Sequence, residues 1–91
     1  MRVPVELKRK YLERRIQEIE HLIQSLDMND FAPALRLGHQ VKGNAVTFEF
    51  PQIAPFGAEI EIAAQNRDKA ILRQLAHSMA CEIKIARLDF H

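Results

Sequence analysis

The sequence predicts an all-α protein, an antiparallel up-and-down four-helix bundle built as one domain over residues 1–91. Apolar side chains recur three and four residues apart through four successive segments. Short interruptions, "MND", the stretch from Pro51 to Pro55, and "QNRD", separate those segments. Strand-like alternation is never sustained, with "VTFEF" alternating only briefly. Amphipathic helices joined by connections of a few residues cannot each bury an apolar stripe alone, and packing them as antiparallel neighbours is the simplest solution.

The first helix is expected over residues 5–27, where Leu12, Ile16, Ile19, Ile23 and Leu26 form a stripe between Arg, Glu and Gln residues. Asn29 or Asp30 can cap the second helix, and Pro33 falls in its first turn, where a missing N–H costs little. This helix is expected from about Phe31 to Phe50, ended by Pro51, which disfavours helical geometry at the residue before it. A third helix with an irregular first turn follows from Ile53, Phe56, Gly57, Ile60 and Ala64. Asp68 caps a fourth, in which Ile71, Leu72, Leu75, Met79, Ile83 and Ala86 lead to about Leu88.

Composition narrows the function. Hydrophobic residues make up 47% and charged residues 27% of the 91, a mixture that folds rather than one that stays disordered. A chain this short has room for one modest core and little for a buried cleft, which favours work done on a surface. The formal net charge of +1 offers no strong field to attract nucleic acid or an anionic membrane. One cysteine, Cys81, cannot form an internal disulfide, so a cytoplasmic, reducing setting is expected. No signal-peptide run and no membrane-length apolar run occurs, and the start at Met1 leans towards a complete small protein rather than a piece of a sensor kinase.

The second helix carries the chemistry. At about 100° per residue, Ala34, Leu37, Val41, Ala45 and Phe48 gather opposite His39 and form the core face. His39 then points outward with Lys42, Gly43, Leu35, Val46 and Phe50. An imidazole nitrogen is a nucleophile near neutral pH, and Lys42, one turn on, is placed to hold an anion carried on it. Glycine inside a helix costs about 1 kcal/mol against alanine, so Gly43 suggests a benefit from its missing side chain, namely close approach of a partner. Leu35, Val46 and Phe50 would form an apolar docking patch around the site.

"HQVKGNAVTFEF" followed by "PQIAPFGAEIEIAA" resembles the core of the histidine phosphotransfer (Hpt) domain, whose motif is His-x-x-Lys-Gly followed by small and apolar residues. The likeness runs from the first helix to the fourth and is motif-specific from Leu35 to about Ala64. It implies a phosphocarrier, not a kinase, in which His39 takes a phosphoryl group from an aspartyl phosphate on one response-regulator receiver domain and passes it to an aspartate on another. It implies that Lys42 helps hold the phosphoryl group and that Gly43 leaves space for it. It also implies that the chain needs no cofactor of its own, magnesium being supplied by the receiver, and that a hybrid histidine kinase is a further candidate donor. The sequence departs from the family in having Glu49 and then Phe50 near the end of the motif, where a glycine is common. A monomer is expected, and the competing expectation is a non-catalytic module that binds receivers without phosphotransfer.

Other signals carry less. Glu18 and His21 share the spacing of a metal-binding pair, but no second pair exists, so no metal site is expected. The basic run Lys8, Arg9, Lys10, Arg14 and Arg15 reads as a solvated face, with Glu6 and Lys10, and Arg9 and Glu13, as i, i+4 pairs. His77 and His91 are expected in solvent, and no base beside Cys81 is identifiable.

Overall fold

The computed structural model describes residues 2–90. Four helices follow in chain order, α1 (Val5–Leu26), α2 (Ala32–Asn44), α3 (Ala54–Gln65) and α4 (Lys69–Arg87), and the described residues include no strand. Each helix packs on its chain neighbours and α4 closes back onto α1, giving the expected bundle. Leu12, Leu22, Leu26, Leu37, Val41, Ile53, Ile60, Leu72, Met79 and Ile83 are fully buried along its axis.

Asp68 caps α4 as expected, its carboxylate accepting the Ile71 N–H at 3.1 Å. Asp30 accepts the Ala32 N–H at 3.0 Å just ahead of α2. The apolar stripes need small corrections. Ile23 and Ile71 are exposed, while Leu22 and the aromatic ring of Tyr11 go inside.

The larger correction concerns the end of α2. Its regular part stops at Asn44, six residues short of the expected Phe50, and the chain continues in turns to Glu49. There the Phe50 N–H donates to the Ala45 carbonyl at 2.8 Å and the Glu49 N–H to the Val46 carbonyl at 2.9 Å. These are the two bonds of a Schellman closure, which needs a left-handed residue between helix and exit, and Glu49 sits at φ 69°. The reversal swings Phe50 inward. It is 3% exposed, under the Tyr11 ring and edge-on to Phe90, so it cannot belong to an outward docking patch. A helical wheel assumes that every residue advances by the same angle, and that assumption ends at Glu49.

The same bond pair closes α1 at Asn29 (φ 57°) and α3 at Arg67 (φ 53°). None of these left-handed positions holds glycine. Asparagine tolerates that geometry, whereas a glutamate there costs about 1–2 kcal/mol. Glu49 recovers little through its 3.3 Å surface ion pair with Lys8. Glu49→Gly should therefore raise stability by up to about 1 kcal/mol, since glycine's added freedom in the unfolded chain offsets part of the gain. Urea unfolding of Glu49→Gly beside Glu49→Ala separates the two causes, because only the first relieves the backbone while both lose the ion pair. A Glu49→Gly protein less stable than Glu49→Ala would show that no strain is stored there.

The glycines of this chain are inside helices, and two of them set the α2–α3 crossing. A Cβ on Gly38 would lie 2.7 Å from the Glu61 backbone nitrogen, and one on Gly57 would lie 2.8 Å from the Gly38 carbonyl oxygen. Neither contact is possible for a real side chain. The two backbones approach each other through the space those side chains would fill.

Candidate functional site

The close crossing decides what meets at the surface. Lys42 stands one turn after Gly38 on α2, and Glu61 stands one turn after Gly57 on α3, so the two side chains reach each other across the rim of the contact. The Lys42 ammonium donates to Glu61 Oε1 at 2.6 Å, and the other carboxylate oxygen, Oε2, lies 3.3 Å from Nδ1 of His39. His39 itself is open to solvent, with 75% of its side chain exposed.

This arrangement favours one placement of the imidazole proton. An ionised carboxylate can only accept, so a neutral His39 ring hydrogen-bonded to it carries its hydrogen on Nδ1. Nε2 is then left with its lone pair, facing away from Glu61 and towards solvent. The 3.3 Å separation is at the long end for such a bond. Glu61 is held ionised mainly by the hydrogen bond from Lys42, against a partial desolvation, with the Lys42 charge and His39 adding to the effect. Its carboxyl therefore titrates below the usual glutamate value.

The sign of the pH dependence follows. A depressed carboxyl contributes to the folded state fully above the ordinary glutamate range and loses that contribution as the pH falls through its lowered value. In a side-chain carboxyl NMR titration, Glu61 should have a midpoint below an unperturbed glutamate, and Lys42→Met should move it back up. A midpoint indifferent to Lys42→Met would remove Lys42 as the cause.

The expected outward residues divide as follows. His39, Lys42 and Gly43 are all exposed, and a Cβ on Gly43 would meet nothing within 4 Å. The fold does not require that glycine. Leu35 and Val46 are exposed at 36% and 62% and flank the imidazole along α2, whereas Phe50 has gone to the core. Glu61 is the residue that sequence reasoning missed. The available signal was a shared spacing, Gly38-x-x-x-Lys42 against Gly57-x-x-x-Glu61, legible only once the two glycines are known to face each other.

Elsewhere, Glu18 is engaged by Arg15 at 2.5 Å and Arg14 at 3.7 Å, and His21 is exposed. Among the described residues, no three His, Cys, Asp or Glu side chains cluster to hold a metal ion. Cys81 does have a neighbouring base, since His77 one turn earlier brings Nε2 to 3.8 Å from Sγ. Both are on the surface. His91 lies outside the described residues. No described helix is long and apolar enough to cross a membrane.

Comparison with protein-family models matches residues 6–89 to the family described as Hpt domain. Neither the curated proteins nor the solved structures yield a match.

Proposed function

The chain belongs to the Hpt domain family, and from that premise we propose that it is a histidine phosphocarrier whose His39 accepts a phosphoryl group from a receiver-domain aspartyl phosphate and donates it to another receiver's aspartate. The observation that carries this reading is the solvent-facing imidazole whose Nδ1 faces the Glu61 carboxylate. With hydrogen on Nδ1, Nε2 attacks phosphorus without first losing a proton. The N–P bond forms as the P–O bond to the donor carboxylate breaks, and that carboxylate leaves with the bonding electrons. Transfer to the next receiver runs the same steps in reverse on a second aspartate.

Lys42 has a role at each stage of this scheme. Before transfer, its ammonium is hydrogen-bonded to Glu61. Once the phosphoryl group arrives, its half-exposed side chain is one helical turn away and is placed to share the new negative charge. The open space over Gly43 admits the partner. Leu35 and Val46 supply apolar contact beside the reacting atoms, and magnesium belongs to the receiver. A hybrid histidine kinase is the natural source of the first phosphorylated receiver, and a monomeric, cytoplasmic protein suits the role.

The test is label transfer. Incubating the protein with phosphorylated receiver domains should place acid-labile phosphate on it, and His39→Gln should abolish the label. Label that survives the substitution overturns the assignment. The exposed Leu35 and Val46 would serve equally a module that binds receivers without transfer. That reading predicts no label on the wild type, unchanged receiver binding in His39→Gln, and lost binding in Val46→Asp.

A further inference from the structure

The groove between α1 and α2 is a charged concavity beside His39. A cavity of about 550 Å³ is lined by Arg14, Glu18, Arg36 and Gln40 among others, and a second of about 250 Å³ by Lys10, Arg14 and Arg15. They share Arg14 and follow one another along the two helices as a trough in two parts. Four cations face a single carboxylate there, although the chain as a whole carries a net charge of only +1. The remainder of the protein is therefore net negative, although a second cavity, lined by Arg9, Lys84 and Arg87 with Glu13, also gathers positive charge.

Lys10 and Arg14 lie on the solvated face that the sequence suggests, and Arg15 departs from it. Arg15 is only 4% exposed, with its guanidinium 4.6 Å above the Tyr11 ring and its Nε 2.5 Å from Glu18. Glu18 is also 3.7 Å from Arg14, which leaves Lys10 and Arg36 with no ion-pair partner among the described residues. Both are exposed. The pairs expected between Glu6 and Lys10, and between Arg9 and Glu13, do not form. Arg9 instead binds Glu6 at 2.7 Å.

The position of the trough gives it a use. Arg36 precedes His39 by one turn and Gln40 follows it directly, so the trough borders the imidazole on the side opposite Lys42 and Glu61. Anything that covers His39 across the width of α2 lies against it. A partner that offers an aspartate to Nε2 brings negative charge to this spot, and an acidic surface around that aspartate would meet the unpaired cations directly.

We propose that the α1–α2 trough, through Lys10 and Arg36, is an electrostatic docking site for the acidic surface that borders the reacting aspartate of a receiver domain. This rests on the phosphocarrier reading of His39 and adds the determinant of partner choice to it. Charges of this kind raise association rates and exclude wrong partners more than they strengthen the final contact. Their effect falls on capture, leaving the chemical step unchanged.

The experiment compares wild type with Lys10→Glu/Arg36→Glu, using the organism's phosphorylated receiver domains as donors and phosphoramidate as a small donor that needs no docking. The double variant should raise KM for transfer from the receiver by roughly tenfold or more, keep kcat within about twofold, and flatten the salt dependence of kcat/KM. Labelling by phosphoramidate should be unchanged. Arg36→Gln alone should give a smaller shift in the same direction and carries the test if the double variant does not fold. An unchanged KM, a fall in kcat alone, or an equal loss with phosphoramidate would each overturn the docking site while leaving His39 as phosphocarrier. A wild type that takes label from neither donor overturns both readings.

Discussion

Gly57→Ala should destabilise the bundle by about 1–3 kcal/mol, the usual cost of forcing extra volume into a close-packed contact. The added methyl would lie against the Gly38 carbonyl oxygen at 2.8 Å and the Lys42 Cα at 2.9 Å, and backbone atoms cannot rotate away as a side chain does. The gain of about 1 kcal/mol from replacing glycine with alanine inside a helix offsets only part of this. Urea unfolding should show a lower midpoint with an unchanged slope. Because α2 and α3 must move apart, the Lys42–Glu61 hydrogen bond should loosen as well, and the Glu61 carboxyl should titrate closer to its ordinary value. Gly43 gives the opposite expectation, because its added methyl meets nothing: Gly43→Ala should be neutral or stabilising by up to about 1 kcal/mol. A Gly57→Ala protein as stable as Gly43→Ala would show that the crossing does not depend on backbone contact.

Glu61→Ala should slow phosphoryl acceptance by about 10- to 100-fold, the size of loss known for carboxylates that orient metal-bound imidazoles. The variant releases two side chains at once, because Glu61 holds Lys42 through one oxygen and faces His39 through the other. Glu61→Gln separates these effects. Its amide oxygen can still accept from Nδ1 of His39, but without the negative charge that draws in Lys42. The glutamine variant should therefore keep most of the acceptance rate. Equal losses in the two variants would show that charge, rather than orientation of the ring, is what Glu61 supplies.

The fold was legible because its signals are local. Apolar spacing, the aspartate before α4 and the prolines around α3 each act within one or two turns, and all four helices follow from them. His39, Lys42 and Gly43 were legible for the same reason, since they share one face of one helix. Glu61 was not, because it is 22 residues from His39 and enters only through a crossing that two glycines permit. Arg15 was misread because the wheel that places it among solvated cations does not register the Tyr11 ring beneath it. Phe50 failed differently. Its apparent outward angle came from carrying helical geometry through Glu49, where the chain turns left-handed.

That position also accounts for the sequence's departure from its family pattern. Where a glycine is common, this chain places a glutamate in the conformation that glycine adopts most readily. The Phe50, Tyr11 and Phe48 rings stack behind this turn. Glu49 is thus first a feature of how α2 ends. Its 3.3 Å contact is with Lys8 on α1, away from the Lys42 and Glu61 side of His39.

The central claim is that His39 reacts through Nε2 while Glu61 retains the proton on Nδ1. NMR of the protein with ¹⁵N-labelled histidine, recorded before and after phosphorylation by a receiver, tests it most directly. The account predicts an unprotonated Nε2 in the resting ring and phosphorus–nitrogen coupling at Nε2 of His39 afterwards. Coupling at Nδ1, or on any other histidine, would contradict it.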